Sequence, residues 1–269
     1  MKKIESSSTV ALIFLFVLIA SGGQAACRSD VPQPSRVSAS PSTTPDPKIL
    51  VDQIFDKYIE ALGGQAHLDQ VTSYAANGTF EMTNVAEKGT FEIFGKDPNK
   101  SLVVIEFPRA GTFKKGFDGE TRWIQNPRAS TSNETPEDLA NVERDAEIYR
   151  AGKLRQLFQS TKLEGKARLN GRDVYIIEAK PSKGPAEKMF FDLQSGLLLR
   201  WDMVRNTADG SNLFVKVHLD DYREVDGVKL PFTIRYSFES FGMTLRIDDL
   251  KHNVPLDDAL FIEPALLQR

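Results

Sequence analysis

The side chains from which chemistry is usually built are sparse in this 269-residue chain: three histidines, three Asp-Asp doublets and one cysteine. His67, His218 and His252 are isolated from one another, and none has a partner at the spacing of a metal motif. Surface or packing roles are therefore expected of them, with no metal and no cofactor. The doublets are Asp220-Asp221, Asp248-Asp249 and Asp257-Asp258. Neighbours on a strand point to opposite faces, so a doublet is not a catalytic carboxylate pair. Turn or strand-end charges are expected of all three, and Asp257-Asp258 could also cap a final helical turn. There is no Gly-x-Ser-x-Gly elbow, and Gly63-Gly64 lacks the Lys and Ser/Thr of a phosphate loop. Asn77-Gly78-Thr79 and Asn133-Glu134-Thr135 match the glycosylation sequon, which matters only in a eukaryotic secretory route. No nucleophile–base set emerges, so no enzyme is expected.

Cys27 stands apart because of what precedes it. Lys2 and Lys3 form a basic end, Val10 to Ala20 an apolar run, and Ser21 to Ala26 a small and polar cleavage region. Residues 1–26 thus read as a secretory signal, and the run is short for a membrane span. Gln24-Ala25-Ala26-Cys27 resembles a bacterial lipobox, with Gln24 where an aliphatic residue is usual. Two outcomes fit: ordinary cleavage leaving an incidental thiol, or acylation of Cys27. A lone thiol in an oxidising compartment favours acylation. So does the Ser-, Pro- and Thr-rich stretch that follows, since residues 27–47 have almost nothing to bury and read as a disordered tether. A formal net charge of −3 without basic runs argues against nucleic-acid binding.

The elements beyond the tether form one domain, 48–269. Ile49, Leu50, Ile54, Tyr58 and Leu62 make a helical stripe ended by Gly63-Gly64. A second helix is expected over Gln65–Val71. Thr135-Pro136-Glu137-Asp138 opens a helical region reaching Phe158. Between and after the helices, apolar and polar residues alternate with period two. The pattern is clearest at Leu213–Leu219, Leu230–Phe238 and Met243–Ile247. Asp118-Gly119, Asn170-Gly171 and Asp226-Gly227 punctuate it as turns. The fold class is α+β, mostly β: an antiparallel meander of about eleven strands with one greasy and one wet face.

That greasy face must be covered by protein or offered to a ligand. Phenylalanine is abundant, at 17 residues, and many aromatics fall on apolar strand parities. They fit a packed core under the helices. They equally fit a curved sheet with an unfilled hollow, which Pro47–Leu62 and Pro136–Phe158 would plug and cover.

Three segments carry a family resemblance. Phe191-Asp192-Leu193-Gln194-Ser195-Gly196-Leu197-Leu198-Leu199-Arg200 resembles a segment of LolA/LolB-like outer-membrane lipoprotein-sorting proteins. Asp221 to Pro231 is similar to a strand–turn–strand found in many of them, and Asn253 to Pro264 to their closing segment. The resemblance implies an unclosed antiparallel β-barrel with helices over its concave face. It also implies an apolar cavity that carries acylated lipoproteins or lipids between bacterial envelope membranes. The family's soluble carrier lacks a lipid anchor, which departs from the reading of Cys27. Arg28 after the cysteine resembles the outer-membrane pattern of enteric bacteria.

The chain is therefore expected to be a non-enzymatic envelope protein on the periplasmic face, anchored to a membrane through Cys27. Its ligand, acylated lipoprotein or lipid, would lie against Phe91, Ile93, Val103, Ile105, Phe107, Trp123, Leu199, Trp201, Val215, Val217, Phe232, Ile234 and Phe238. The alternative is an interaction or sensor module with a filled core and no lipid transfer.

Overall fold

The computed structural model describes residues 47–83, 87–125, 144–145, 150–206 and 212–264. The expected signal at 1–26, Cys27 and nearly all of the expected tether, as well as the expected helix start at 135–143, lie outside the described residues. Helix α1, Pro47–Ala61, turns its apolar stripe of Val51, Ile54, Phe55 and Tyr58 inward. It stops where expected: Gly63 and Gly64 take φ of 113° and 91°. Their amides return to the Glu60 and Ile59 carbonyls at 3.0 and 2.9 Å, a glycine cap on the last turn. A Cβ on Gly63 would sit 1.9 Å from the Gly227 carbonyl oxygen, so glycine also permits close docking on that turn. Helix α2 is shorter than expected, Gln65–Leu68.

Among the described residues twelve strands follow, against an expectation of about eleven: β1 Ser73–Thr83, β2 Lys88–Lys96, β3 Lys100–Phe107, β4 Gly111–Phe117 and β5 Arg122–Gln125 precede the helical excursion. After it come β6 Ser160–Leu169, β7 Arg172–Lys180, β8 Glu187–Asp192, β9 Leu198–Asn206, β10 Asn212–Val225, β11 Val228–Ser237 and β12 Gly242–His252. All lie in one antiparallel sheet ordered β5-β4-β3-β2-β1-β12-β11-β10-β9-β8-β7-β6. Each strand pairs with its chain neighbour, apart from one long-range closure of β12 onto β1. The edges β5 and β6 do not meet, so the sheet is an unclosed half-barrel, as expected. Asn170-Gly171 and Asp226-Gly227 have positive φ at both positions, the geometry of two-residue hairpin turns. Of the expected Pro136–Phe158 helices, the described part comprises a 3-10 turn Arg150–Lys153 and a short helix Leu154–Leu157.

One face of the sheet, the inner face, carries two large apolar clusters. The outer face of β3 and β5 carries a small one beneath the C-terminal tail. There the 3-10 turn Asp258–Phe261 is capped as anticipated, the Ala259 amide donating to the Asp257 carboxylate at 2.9 Å.

Candidate functional site on the inner face

The inner face divides into two halves of different character. Over β6–β10 it is filled by the chain itself. Val51, Ile54, Phe55, Tyr58 and Leu62 of α1, with Leu154 and Phe158, pack on Ile177, Met189, Phe191, Leu198, Trp201, Val215 and Val217. Phe191 receives edge-to-face contacts from Phe55 and Tyr58, with centroids 5.8 and 5.2 Å away. Tyr222 joins this core, its hydroxyl donating to the Leu198 carbonyl at 2.7 Å. Burial, reinforced by Tyr58, pushes the Tyr222 phenol well above its ordinary pKa. Trp201, Val215 and Val217 thus belong to the protein's own core rather than to an open wall.

Over β1–β4, β11 and β12 the cluster is built from strand and loop residues, with no member from any described helix. Ala76, Phe80, Met82, Phe91, Ile105, Phe107, Phe113, Phe232, Met243, Leu245 and Ile247 are its buried members. Ile93, Val103, Ile124, Ile234 and Tyr236 are half-buried against it. Cross-strand register aligns Ile93 with Val103, Val103 with Lys115, and Lys115 with Ile124, a row running to the β5 edge. Ile234 and Tyr236 touch both clusters and mark the divide.

The expected ligand wall is therefore broken up. Phe91, Ile93, Val103, Ile105, Phe107, Phe232 and Ile234 come together on the β1–β4, β11 and β12 half, to which no described helix contributes. Phe238 lies half-buried at the edge of the filled half, stacked on Phe241 at 4.2 Å. Leu199 does not share the inward direction of Trp201. A β-bulge sets Phe190 opposite Arg200 but Phe191 opposite Leu198, so Leu198 turns into the core and Leu199 falls outside the clusters. Trp123 faces the other way. It pairs with Gly116, shares the outer face with Leu102 and Val104, and donates its indole N–H to the Phe261 carbonyl at 2.6 Å. β3 buries both of its faces, and β5, separated from it by β4, has only four residues, so alternation could not phase it. Phe80, Phe113 and the Met243–Leu245–Ile247 run escaped the expected wall, although the alternation of the last three was visible.

A second unanticipated feature closes the filled half. Glu187 is 1% exposed and accepts from Arg144 at 2.6 Å, Arg205 at 3.1 Å and the Trp201 indole at 2.7 Å. Arg205 also reaches Asp145 at 3.3 Å. Burial opposes the Arg205 charge, but Asp145 and Glu187 outweigh it and raise its pKa above the usual guanidinium value. The signal available beforehand was a carboxylate on the same parity as Met189 and Phe191. The histidines stay apart. His67 Nδ1 lies 2.8 Å from the Gly63 carbonyl, and His252 Nδ1 3.3 Å from Asp226. Among the described residues no three His, Cys, Asp or Glu side chains converge as a metal site would require.

These elements, a single unclosed antiparallel sheet wrapped on a helix, can be set beside solved structures. A LolA superfamily protein from Nitrosomonas europaea superposes with a TM-score of 0.54 over 79% of this chain and 97% of that one, at 14% identity. The fold is LolA-like. A DUF1329 family protein from Desulfovibrio piger also superposes with a TM-score of 0.54, at 15% identity, over 81% of this chain and 98% of that one. A domain from Vibrio parahaemolyticus named for outer membrane lipoprotein sorting reaches 0.51 at 14% identity, over 78% and 96% of the two chains. No protein-family model and no curated protein matches the sequence. At such identities the likeness speaks to the LolA-like fold and to nothing finer.

Proposed function

We propose that this protein is a non-enzymatic acyl-binding carrier of the bacterial envelope, taking the acyl chains of a lipid or lipoprotein on the β1–β4, β11 and β12 half of its inner face. The observation that carries the reading is the asymmetry between the halves: α1 packs into the cluster over β6–β10, while the buried apolar cluster over β1–β4, β11 and β12 has no member from any described helix. The wall would consist of Phe91, Ile93, Val103, Ile105, Phe107, Phe232 and Ile234, joined by Phe113, Leu245 and Ile124. Each methylene moved from water onto such a surface gains about 0.8 kcal/mol, so even one tail provides substantial affinity. The name of the Vibrio domain, outer membrane lipoprotein sorting, supports the choice of cargo. In this reading residues 1–26 are removed on export, acylated Cys27 anchors the domain at a membrane surface on the periplasmic side, and 27–47 is the tether.

Native extraction followed by mass spectrometry tests the function. Co-purifying acyl lipid is the expected result, with displacement by a fluorescent fatty-acid probe. A protein that emerges lipid-free and leaves the probe's fluorescence unchanged would refute it. Intact mass of the mature protein tests the anchor, which requires a diacylglyceryl-sized addition on Cys27.

A further inference from the structure

The two ends of the half-barrel differ in chemistry. Strand register places the turns Asn170-Gly171, Gln194-Ser195-Gly196 and Asp226-Gly227 at one end. They are polar, and Leu68 and Val71 pack on Val228 there beside the α1 stop. At the other end the β11–β12 hairpin turns through Glu239-Ser240, closed by the Phe238 amide donating to the Phe241 carbonyl at 2.9 Å. The stacked rings of Phe238 and Phe241 flank that tip. Phe238 packs on the filled half and Phe241 on the other apolar cluster, so the pair straddles their divide at the rim. Continuing the register of Lys216 and Ser237 by two residues brings Phe214 level with Glu239. Phe214 is 54% exposed. Among the described residues the other exposed large apolar side chains are Leu260 and Ile262, on the C-terminal tail.

Helix α1 decides from which end the residues before it depart. Lys57 donates to the Leu193 carbonyl and the Lys229 amide to the Leu62 carbonyl, both at the polar end. Farther back along the helix, Asp52 and Asp56 bind Arg155, at 3.1 and 2.6 Å, just before β6 starts at the aromatic end. A fifteen-residue helix is about 22 Å long, so Pro47 stands well towards the aromatic rim.

Exposed rings and the departing chain thus share one end. A tether of the twenty residues from Cys27 to Pro47 spans about 25 Å on average. An eleven-residue strand such as β1 is about 35 Å long. An anchor held by that tether therefore keeps the near end, the aromatic one, against the membrane. The patch suits a bilayer better than a protein. Three partly covered rings offer far less than the roughly 800 Å² per partner that a stable protein interface buries. A phenyl entering the headgroup–acyl boundary needs no complementary surface. We propose that the rim formed by Phe214, Phe238 and Phe241 docks on the bilayer that holds the Cys27 anchor. This rests on the anchor reading above and adds which end meets the membrane. An acyl chain leaving the bilayer there passes Phe241, Met82 and Met243, the latter two paired across β1 and β12, on its way to the apolar wall.

The test uses the full mature chain in vesicles of phosphatidylethanolamine and phosphatidylglycerol, with and without chain-brominated lipid as a contact quencher. Phe214→Trp and Glu239→Trp report on the rim. Glu224→Trp, exposed beside the Asp226-Gly227 turn, reports on the other end. Emission from the buried Trp123 and Trp201 is subtracted with the wild type, and matching circular-dichroism melts confirm the fold of each variant. The rim reporters should shift to the blue on vesicles and lose most of their emission to brominated lipid, while Glu224→Trp does neither. Equal quenching at both ends, or quenching at Glu224→Trp alone, overturns the docking. So does a rim blue shift that grows with protein concentration in the absence of vesicles, which makes a second copy the occupant. A chain that pellets with vesicles while its rim reporters stay unquenched overturns the docking and leaves the anchor intact. A chain that does not pellet overturns the anchor reading and the docking with it.

Discussion

The indole N–H of Trp201 donates to the carboxylate of Glu187 at 2.7 Å, inside the filled half of the sheet. An aromatic ring that looked like a ligand wall is thereby committed to the protein's own polar network. Its ring lies 6.3 Å from Phe158, and Arg144 lies over that same Phe158 ring. The segment at Arg144–Asp145 is thus held against β8 and β9 by charge as well as by apolar packing.

Replacing Glu187 with Ala would leave Arg144 and Arg205 buried without their shared carboxylate. Breaking a buried ion pair from one side costs about 3–5 kcal/mol, and a loss of that size is expected in urea unfolding. Tryptophan fluorescence should shift in the native baseline, because Trp201 loses its acceptor. A variant as stable as the parent would show that the network contributes nothing.

The two halves of the inner face should respond differently to added bulk. Val217 lies under α1 at 7% exposure, so Val217→Phe overpacks a closed core and should destabilise by about 1–3 kcal/mol. Val103 is half-buried on the β1–β4, β11 and β12 half. Val103→Phe should leave the melting temperature nearly unchanged while weakening acyl-probe binding severalfold. If both substitutions act on stability alone, the β1–β4, β11 and β12 half is core as well.

Trp123 ties the tail to the outer face. Trp123→Phe keeps most of the packing with Leu102, Val104 and Phe261 but removes the donor to the Phe261 carbonyl. The expected loss is about 1 kcal/mol, the net value of one intramolecular hydrogen bond. Faster trimming by carboxypeptidase should accompany it.

Asp258 adds an electrostatic latch on the same tail. Hydrogen bonds from Lys100 and Lys96 hold its carboxyl at about 2, below the ordinary value of 3.8. Because the folded value is depressed, this stabilisation is fully present above the unfolded pKa. It is lost as pH falls from near 4 towards 2. Asp258→Asn should flatten the stability curve in that window. High salt should mimic it, since the pair is exposed.

The turns, the α1 stop and the tail cap were legible because each depends on local chemistry: two positive-φ positions at Asn170-Gly171, glycines at 63 and 64, an Asp257 side chain beside an open amide. The period-two pattern likewise determined the antiparallel meander and which parity of β10, β11 and β12 is greasy, since alternation follows from the pleat alone. Three things were decided only in three dimensions. A bulge after Phe190 exchanged Leu198 for Leu199 in the core, and a one-residue slip leaves no mark on composition. The C-terminal tail covered the outer face of β3, giving Trp123 a partner 138 residues away. And α1 chose one half of the concave face over the other. The stripe on α1 states that it must be buried, but not against which strands, because apolar surface is non-directional and the fit of side-chain shapes across the sheet selects the place.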